Sequence, residues 1–225
     1  MVTIIPHQPE LAASPIADVH RHLELLRDTG AWRRGLPALR AHGVTVRELQ
    51  LTDAAALLDV LSTDDVSRFI STPPNDVPGL KRFIAWSIAE RMAGQSVVFG
   101  IVPGGCATAV GLIQLRALEP GFATAEWGFA IGSAFWGTGL FEASARRVVD
   151  FAIEQVGIHR LEARAAVGNA RGNGVLRKLG AVHEGILRKS FHSHGTMCDQ
   201  ALWSIVDDEW RQKAERLAIP IIRLH

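Results

Sequence analysis

The chain has 225 residues, of which 48% are hydrophobic, and its 24 basic and 23 acidic residues leave a formal net charge of +1. That is enough for one good-sized packed domain and leaves no case for disorder. So even a balance argues against a nucleic-acid wrapper or a polybasic membrane binder, both of which need a field of one sign.

The opening "MVTIIPHQPE" has no basic flank and no long apolar run, so no secretory signal is expected. Three prolines fall before residue 16, and "ADVHRHLELLRDTG" follows with helical leucine spacing. Residues 1–42 therefore read as a partly helical N-terminal extension. It would cover the functional site, form a homodimer contact, or cap the edge of a sheet. A second unit, residues 43–225, carries the main domain.

"VTVREL" (44–49) predicts a strand, and "DAAALLDVLS" (53–62) a helix capped by Thr52 or Asp53. In 80–92, Leu80, Phe83, Ile84, Ile88 and Met92 share one helical face. Residues 96–115 carry no charge over a bilayer-spanning length, but Pro103-Gly104-Gly105 interrupts them. They read as hairpin arms 96–102 and 108–115, and no membrane span is expected. "TAEWGFAI" (124–131) predicts a further strand. Gly139 then opens a helix of about five turns with Phe141, Ala145, Val148, Ala152 and Val156 as its apolar stripe. "RLEARAAV" (160–167) alternates, with Leu161, Ala163, Ala165 and Val167 on one face. A short helix (170–179) closes at Gly180, strands near 181–191 and 197–206 are joined by "HSHGT", and a polar helix starts at Asp207. The order predicts an α/β (α+β) domain: a mixed, mostly antiparallel sheet of six to seven strands, flanked by helices, with one crossover.

The junction "AFWGTGLF" (134–141) places Gly137 and Gly139 between a strand and a helix. A helix start exposes unpaired N–H groups, and glycines there let an anion approach. A tight turn without a ligand is the plainer alternative. Leu140-Phe141 stand where a P-loop needs Lys-Ser/Thr, and Glu142 where a dinucleotide fingerprint needs its third glycine, so neither motif fits. A backbone cradle without lysine or metal suits a diphosphate on a cofactor that is not cleaved at phosphorus. Cys106 and Cys198 form no framework and no CxxC pair, which fits a reducing, cytoplasmic setting.

"AEWGFAIGSAFWGTGLFEASARRVVDFAIEQVGIHRLEARAAVGNARGNGVLRKLGAVHEGILRKSF" (125–191) resembles the GNAT superfamily of acetyl-CoA-dependent N-acetyltransferases, and within it the branch of ribosomal-protein N-terminal acetyltransferases. Trp136, Gly139 and Phe141 occupy the places of the loop Arg/Gln-x-x-Gly-x-Gly/Ala. Asn169 through Ala181 match Asn-x-x-Ser-x-x-Val-Leu-x-Lys-x-Gly-Phe, and "EGILR" and "DQALWSI" match the last two strands. The likeness spans roughly 44–210.

The resemblance implies acetyl-CoA as co-substrate and no metal. It implies a strand splayed by a bulge, with Phe129, Ala130, Ile131, Gly132 and Ser133 along the pantetheine arm and a backbone N–H at the thioester carbonyl. Amides of Trp136, Gly137, Thr138, Gly139, Leu140, Phe141 and Glu142 would hold the diphosphate. Asn169 and Asn173 would lie on the cofactor arm, Asn169 also being a natural helix N-cap. Glu126 matches a general base that works through water, or is a solvated strand carboxylate. Three departures stand out: the chain has no tyrosine, and Leu176 takes the place of the tyrosine that protonates the leaving thiolate; Gly172 replaces the motif's serine; and Phe141 replaces a small residue.

The implied acceptor is a primary amine, either a protein N-terminus or a small molecule such as an aminoglycoside, polyamine or amino acid. A non-catalytic acyl-CoA-binding module is the reading from another class. His183, His192 and His194 lack a carboxylate or thiolate at ligand spacing and read as a polar hairpin. Asp199 reads as a strand polar group or an amine contact, and Trp86, Trp127 and Trp203 as core.

Overall fold

Gly43, at φ +70°, joins β1 (Leu39–Ala41) to β2 (Val44–Glu48) through a backbone geometry that side chains oppose. In the computed structural model, which describes residues 30–71, 74–193 and 195–218, a single helical turn, α1 (Ala31–Arg34), precedes β1 and buries Trp32. The helix expected in 17–30 lies outside the described residues, apart from Gly30.

A 3-10 turn (Leu51–Asp53) leads into α2 (Ala54–Leu61), and α3 (Asp64–Ser67) follows. The next helix, α4 (Val77–Met92), starts where the Asp76 carboxylate accepts a hydrogen bond from the Gly79 amide at 2.6 Å, with Pro78 in its first turn. The meander β3 (Ser96–Pro103), β4 (Gly111–Ala117) and β5 (Thr124–Ile131) comes next. The helix α5 (Leu140–Phe151) runs on through a looser turn, Ala152–Val156, to Gly157. Then come β6 (Arg160–Ala166), α6 (Ala170–Leu179), β7 (Val182–Ser193), β8 (Thr196–Val206) and α7 (Asp207–Ala218).

The strands form one sheet in the order β1-β2-β3-β4-β5-β6-β8-β7. Every pairing is antiparallel except β5 with β6, the pair that α5 connects. The sheet has eight strands where six to seven were expected. The added one, β1, pairs Leu39 with Val46 and Ala41 with Val44, inside the stretch expected as an extension. Three residues are too short for periodicity to register.

The expected stripe of α5 is buried from Phe141 to Val156, and Phe151 meets Phe99 of β3 edge-on at 5.1 Å between ring centroids. Trp127 and Trp203 are core, and Trp86 packs against it. Ile88 is partly buried against the core, and two residues of the expected apolar faces are exposed. Met92 is 65% exposed because it is the last residue of α4, and Val167 is 52% exposed because β6 ends one residue before it. Along β7 the register with β8 shifts between Leu187 and Phe191, where Lys189 takes φ +49° and donates its amide hydrogen to Asp199 Oδ1 at 2.8 Å. The Asp199 carboxylate thereby holds a bulge.

Asp53 stands at the N-cap position of α2, but its side chain makes no capping bond to that helix. Its carboxylate accepts from the amides of Gln50 (2.8 Å) and Ala109 (2.9 Å) and from both terminal nitrogens of Arg47 (2.8 and 2.9 Å). It thus ties the end of β2, the start of α2 and the β3–β4 loop together from a fully buried position. Burial pushes its carboxyl up, but Arg47 and the two amides outweigh this and hold it below the ordinary carboxylate range. A carboxyl held down in the folded state stabilises the fold above its unfolded value and loses that contribution as pH falls through the folded value. Asp53→Ala is expected to cost about 3 kcal/mol, the scale for removing one partner of a buried ion pair. It should appear as a lower urea midpoint near neutral pH, and the gap from wild type should shrink as pH drops below about 4.

Candidate active site

Beyond Ile131 the chain makes a 3-10 turn (Ser133–Phe135) and then the two-glycine loop. Gly137 has φ +75° and Gly139 φ +80°, and a Cβ built on either would meet no atom within 4 Å. Glycine is demanded here by backbone conformation, and the space in front is open. Thr138 Oγ1 donates to the Phe135 carbonyl at 2.8 Å, and Trp136 Nε1 donates to the Ile131 carbonyl at 3.1 Å, which fixes the loop to the end of β5. The first amide bonded inside α5 is that of Ala143, to Gly139 O at 3.0 Å. The amides of Leu140, Phe141 and Glu142 therefore form the open start of the helix, with its partial positive charge. Leu140 reaches only Thr138 Oγ1, at 3.4 Å.

These groups form one wall of a cleft of about 720 Å³. Phe129, Ile131 and Phe141 supply its apolar surface, with Phe129 and Phe141 ring centroids 4.4 Å apart. The opposite wall is α6, and Asp65 of α3 and Phe69 just after that helix also line the cleft. Near them Ser193 Oγ, at the tip of the β7–β8 hairpin, donates to the Arg68 carbonyl at 2.9 Å.

The cleft exists because β5 and β6 separate. They pair only from Thr124↔Arg160 to Glu126↔Glu162. β5 stays paired with β4 up to Ile131, and β6 with β8 up to Ala166. The expected bulge in β5 is not found. Its register with β4 runs from Ala125↔Ala117 to Ile131↔Gly111 without a shift. The opening comes from each strand holding to its outer neighbour while the sheet twists.

Of the residues expected at a cofactor, Phe129, Ile131, Trp136, Gly137, Thr138 and Gly139 meet around the cleft, together with Phe141, Glu142 and Asn169. Ala130, Gly132, Ser133 and Leu140 belong to the same strand and loop without lining it. Asn169 is the N-cap of α6, its Oδ1 accepting from the Gly172 amide at 3.0 Å. Asn173 faces away from this cleft. Its Nδ2 donates to the carbonyls of Ala166 (3.0 Å) and Asn169 (2.8 Å), and its Oδ1 accepts from Trp203 Nε1 (2.8 Å), so its amide is occupied in joining β6, α6 and β8.

Glu126 is not a solvated carboxylate. It is 4% exposed, on the last rung shared by β5 and β6, and points to the face opposite Trp127 and Phe129. Its Oε2 accepts from Arg116 at 2.5 Å, and its Oε1 lies 3.8 Å from Arg164. Leu176 is fully buried in the core and presents nothing to the cleft. His183 packs beside Trp203 with ring centroids 5.1 Å apart, and His194 lies outside the described residues. Among the described residues no group of three or more His, Cys, Asp or Glu is placed to hold a metal.

Sequence reasoning missed Arg171, Gly174, Val175 and Lys178, which line the cleft from α6. Their i, i+3, i+4, i+7 spacing marks one helical face, but the mixed chemistry of that face gives no hydrophobic signal. Arg171 lies with its guanidinium carbon 4.1 Å from the centre of the Trp136 ring.

The profile of the acetyltransferase (GNAT) domain matches residues 44–182. The uncharacterized N-acetyltransferase p20 of Bacillus licheniformis is 23% identical over 176 residues, which is 78% of this chain and 99% of that protein. Ribosomal-protein-S5-alanine acetyltransferase from Vibrio fischeri superposes with a TM-score of 0.71 at 18% identity, over 78% of this chain and 99% of that one. The microcin C7 self-immunity acetyltransferase MccE, solved with acetyl-CoA and AMP, superposes with a TM-score of 0.66 at 20% identity, over 74% and 93% of the two chains. At such identities the two superpositions speak for the fold.

Gly139→Ala tests the loop. The new methyl group meets open space, so the cost should be the left-handed backbone alone, about 1–2 kcal/mol, read as a lower urea midpoint with an unchanged slope.

Proposed function

The chain belongs to the GNAT acetyltransferase family, and on that footing we propose that it transfers an acetyl group from acetyl-CoA to a primary amine, with a protein N-terminal α-amine as acceptor. The observation that carries this reading is a bare-amide loop at the mouth of a cleft that runs along the unpaired edge of β5. The residues present fit the coenzyme. The amides of Gly137–Glu142 suit a diphosphate, that of Trp136 being bonded to the Ser133 carbonyl at 3.1 Å; the free backbone edge of Trp127–Ala130 suits an extended arm that pairs like a strand, and Phe129, Ile131 and Phe141 supply an apolar surface for the acyl end. Acetyl-CoA supplies the activated acetyl thioester.

The chain's own part is to orient that thioester and to offer a backbone N–H of the β5 edge to the charge that develops on the carbonyl oxygen. An amine near neutral pH must lose a proton before it attacks. Glu126 takes that proton through water at Oε1, since Oε2 is held by Arg116. With Leu176 in the core, the departing thiolate is protonated by solvent.

A small-molecule amine is the second acceptor reading. MccE, a self-immunity acetyltransferase solved with acetyl-CoA and AMP, shares this fold, which supports keeping that reading.

Thiol release from acetyl-CoA, measured over a panel of N-terminal peptides, polyamines, amino acids and aminoglycosides, separates these readings. Turnover on peptides alone supports the protein N-terminus; turnover on small amines alone replaces it. Coenzyme binding with no thiol release on any amine points to a non-catalytic acyl-CoA module. Glu126→Gln should lower turnover about a hundredfold and leave acetyl-CoA affinity near wild type. Full turnover in that variant would remove Glu126 as the base.

A further inference from the structure

Among the described residues, three buried side-chain polar atoms have no hydrogen-bond partner: Trp32 Nε1, Gln114 Oε1 and Arg164 Nε. Two of the three flank Glu126. Arg116 of β4 and Arg164 of β6 both approach the Glu126 carboxylate, so these side chains share one face of the sheet. Gln114 precedes Arg116 by two residues along β4 and lies on that face too. Its partner on β5 is Gly128, which puts no side chain beside it.

The scaffold uses neither group fully. Gln114 Nε2 donates to Ser96 Oγ at 3.1 Å, but the carbonyl oxygen of the same buried side chain accepts nothing. Arg164 donates no hydrogen bond among the described residues. Its approaches to Glu126 Oε1 and Glu162 Oε2 are both 3.8 Å, too long for one. Those carboxylates have nearer partners, Arg116 at 2.5 Å for Glu126 and Arg160 at 2.9 Å for Glu162. A buried donor or acceptor left unmet is costly, and a planar guanidinium fork is matched best by a carboxylate. The two groups also differ in depth: Gln114 is buried, whereas the Arg164 side chain is 35% exposed and stands at the rim.

We infer that Arg164 binds a carboxylate that the acceptor carries close to its amine, while Gln114 Oε1 accepts an N–H of that amine. This rests on the acetyl-transfer reading above, with Glu126 as base, and adds to it the substrate class: an amino-acid-like amine, either a free amino acid or a chain that begins with an acidic residue. The depths fit this order. The amine reaches the buried Glu126 and Gln114, and the carboxylate stays at the rim with Arg164. Because Arg164 lies beside Glu126 Oε1, the oxygen left for the proton, an acceptor cannot reach the base without meeting the guanidinium. That neighbouring positive charge also disfavours the ammonium form of the amine, which must lose its proton before attack.

Thiol release from acetyl-CoA by the full chain, followed with two matched pairs of acceptors, tests this: peptides that begin with Asp or with Asn, and free alanine against alaninamide. Wild type should favour the carboxylate member of at least one pair about tenfold in kcat/KM, the scale of one charge-assisted contact. The pair that shows the preference identifies the source of the carboxylate. Arg164→Gln should lose that factor, and Arg164→Lys, which keeps the charge but not the fork, should retain part of it. Differences in amine basicity within a pair are common to all variants and cancel. Gln114→Leu should raise KM for both members of a pair alike and keep their ratio. Ser96 Oγ still donates to the Leu115 carbonyl at 3.0 Å in that variant's surroundings, and an unchanged thermal midpoint confirms folding. Equal kcat/KM within both pairs, which leaves the two groups to water alone, or a preference that survives in Arg164→Gln, would overturn the inference. A wild-type KM in Gln114→Leu would overturn the amine contact. A chain that binds acetyl-CoA but releases no thiol on any amine would instead overturn the acetyl-transfer reading on which it rests.

Discussion

The architecture depends on two strands that pair for three rungs and then part. Below the fork, β5 and β6 are bound on one face by a line of alternating charges. Arg116 meets Glu126, Glu126 faces Arg164, Arg164 faces Glu162, and Glu162 and Glu184 share Arg160. Such pairs add little net stability after desolvation, but they make one register much better than its neighbours. Glu184, bonded to both Arg160 and Ser204, has its carboxyl pulled down to about 2. Glu184 therefore keeps its charge through the ordinary range of pH and anchors this end of the line. Above the fork the strands have no shared partner, and the cleft fills the gap.

The second requirement is that α5 and α6 stand at the right height on either side. The loop does this for α5, by letting the chain reverse at Gly137 and Gly139 and start a helix at once. For α6, Asn173 grips the end of β6 and the Trp203 indole together, and Asn169 caps the first turn. The resemblance placed both asparagines on the cofactor. Only Asn169 reaches the cleft; Asn173 acts on the scaffold that presents it.

What could be read from the residues was local. The stripe of α5, the alternation of β6, the glycine stops and the two-glycine loop all follow from spacing and backbone rules and are found where expected, except that β6 ends before Val167, which is exposed. What could not be read was long-range. Nothing near Glu126 in the chain announces Arg116 or Arg164, which reach it from two other strands. Nothing near Asp53 announces the Ala109 amide, 56 residues away. The position matching a tyrosine was identified, but only the packing shows that Leu176 turns into the core. The cationic face of α6 escaped notice because polar spacing on a helix ordinarily means solvent, and only the fold shows that this one faces a hollow.

The shift in β7 has a consequence for life in a crowded solution. β7 is the outer strand of the sheet, twelve residues long, with Val182 and Ile186 exposed. An unguarded strand of that kind is a template on which other chains add and fibres grow. The left-handed Lys189 breaks the template in its second half, and Arg188 and Lys189 set two like charges in the path of any incoming strand. The hairpin thus carries its own safeguard against self-association, at the spot where its backbone is least regular.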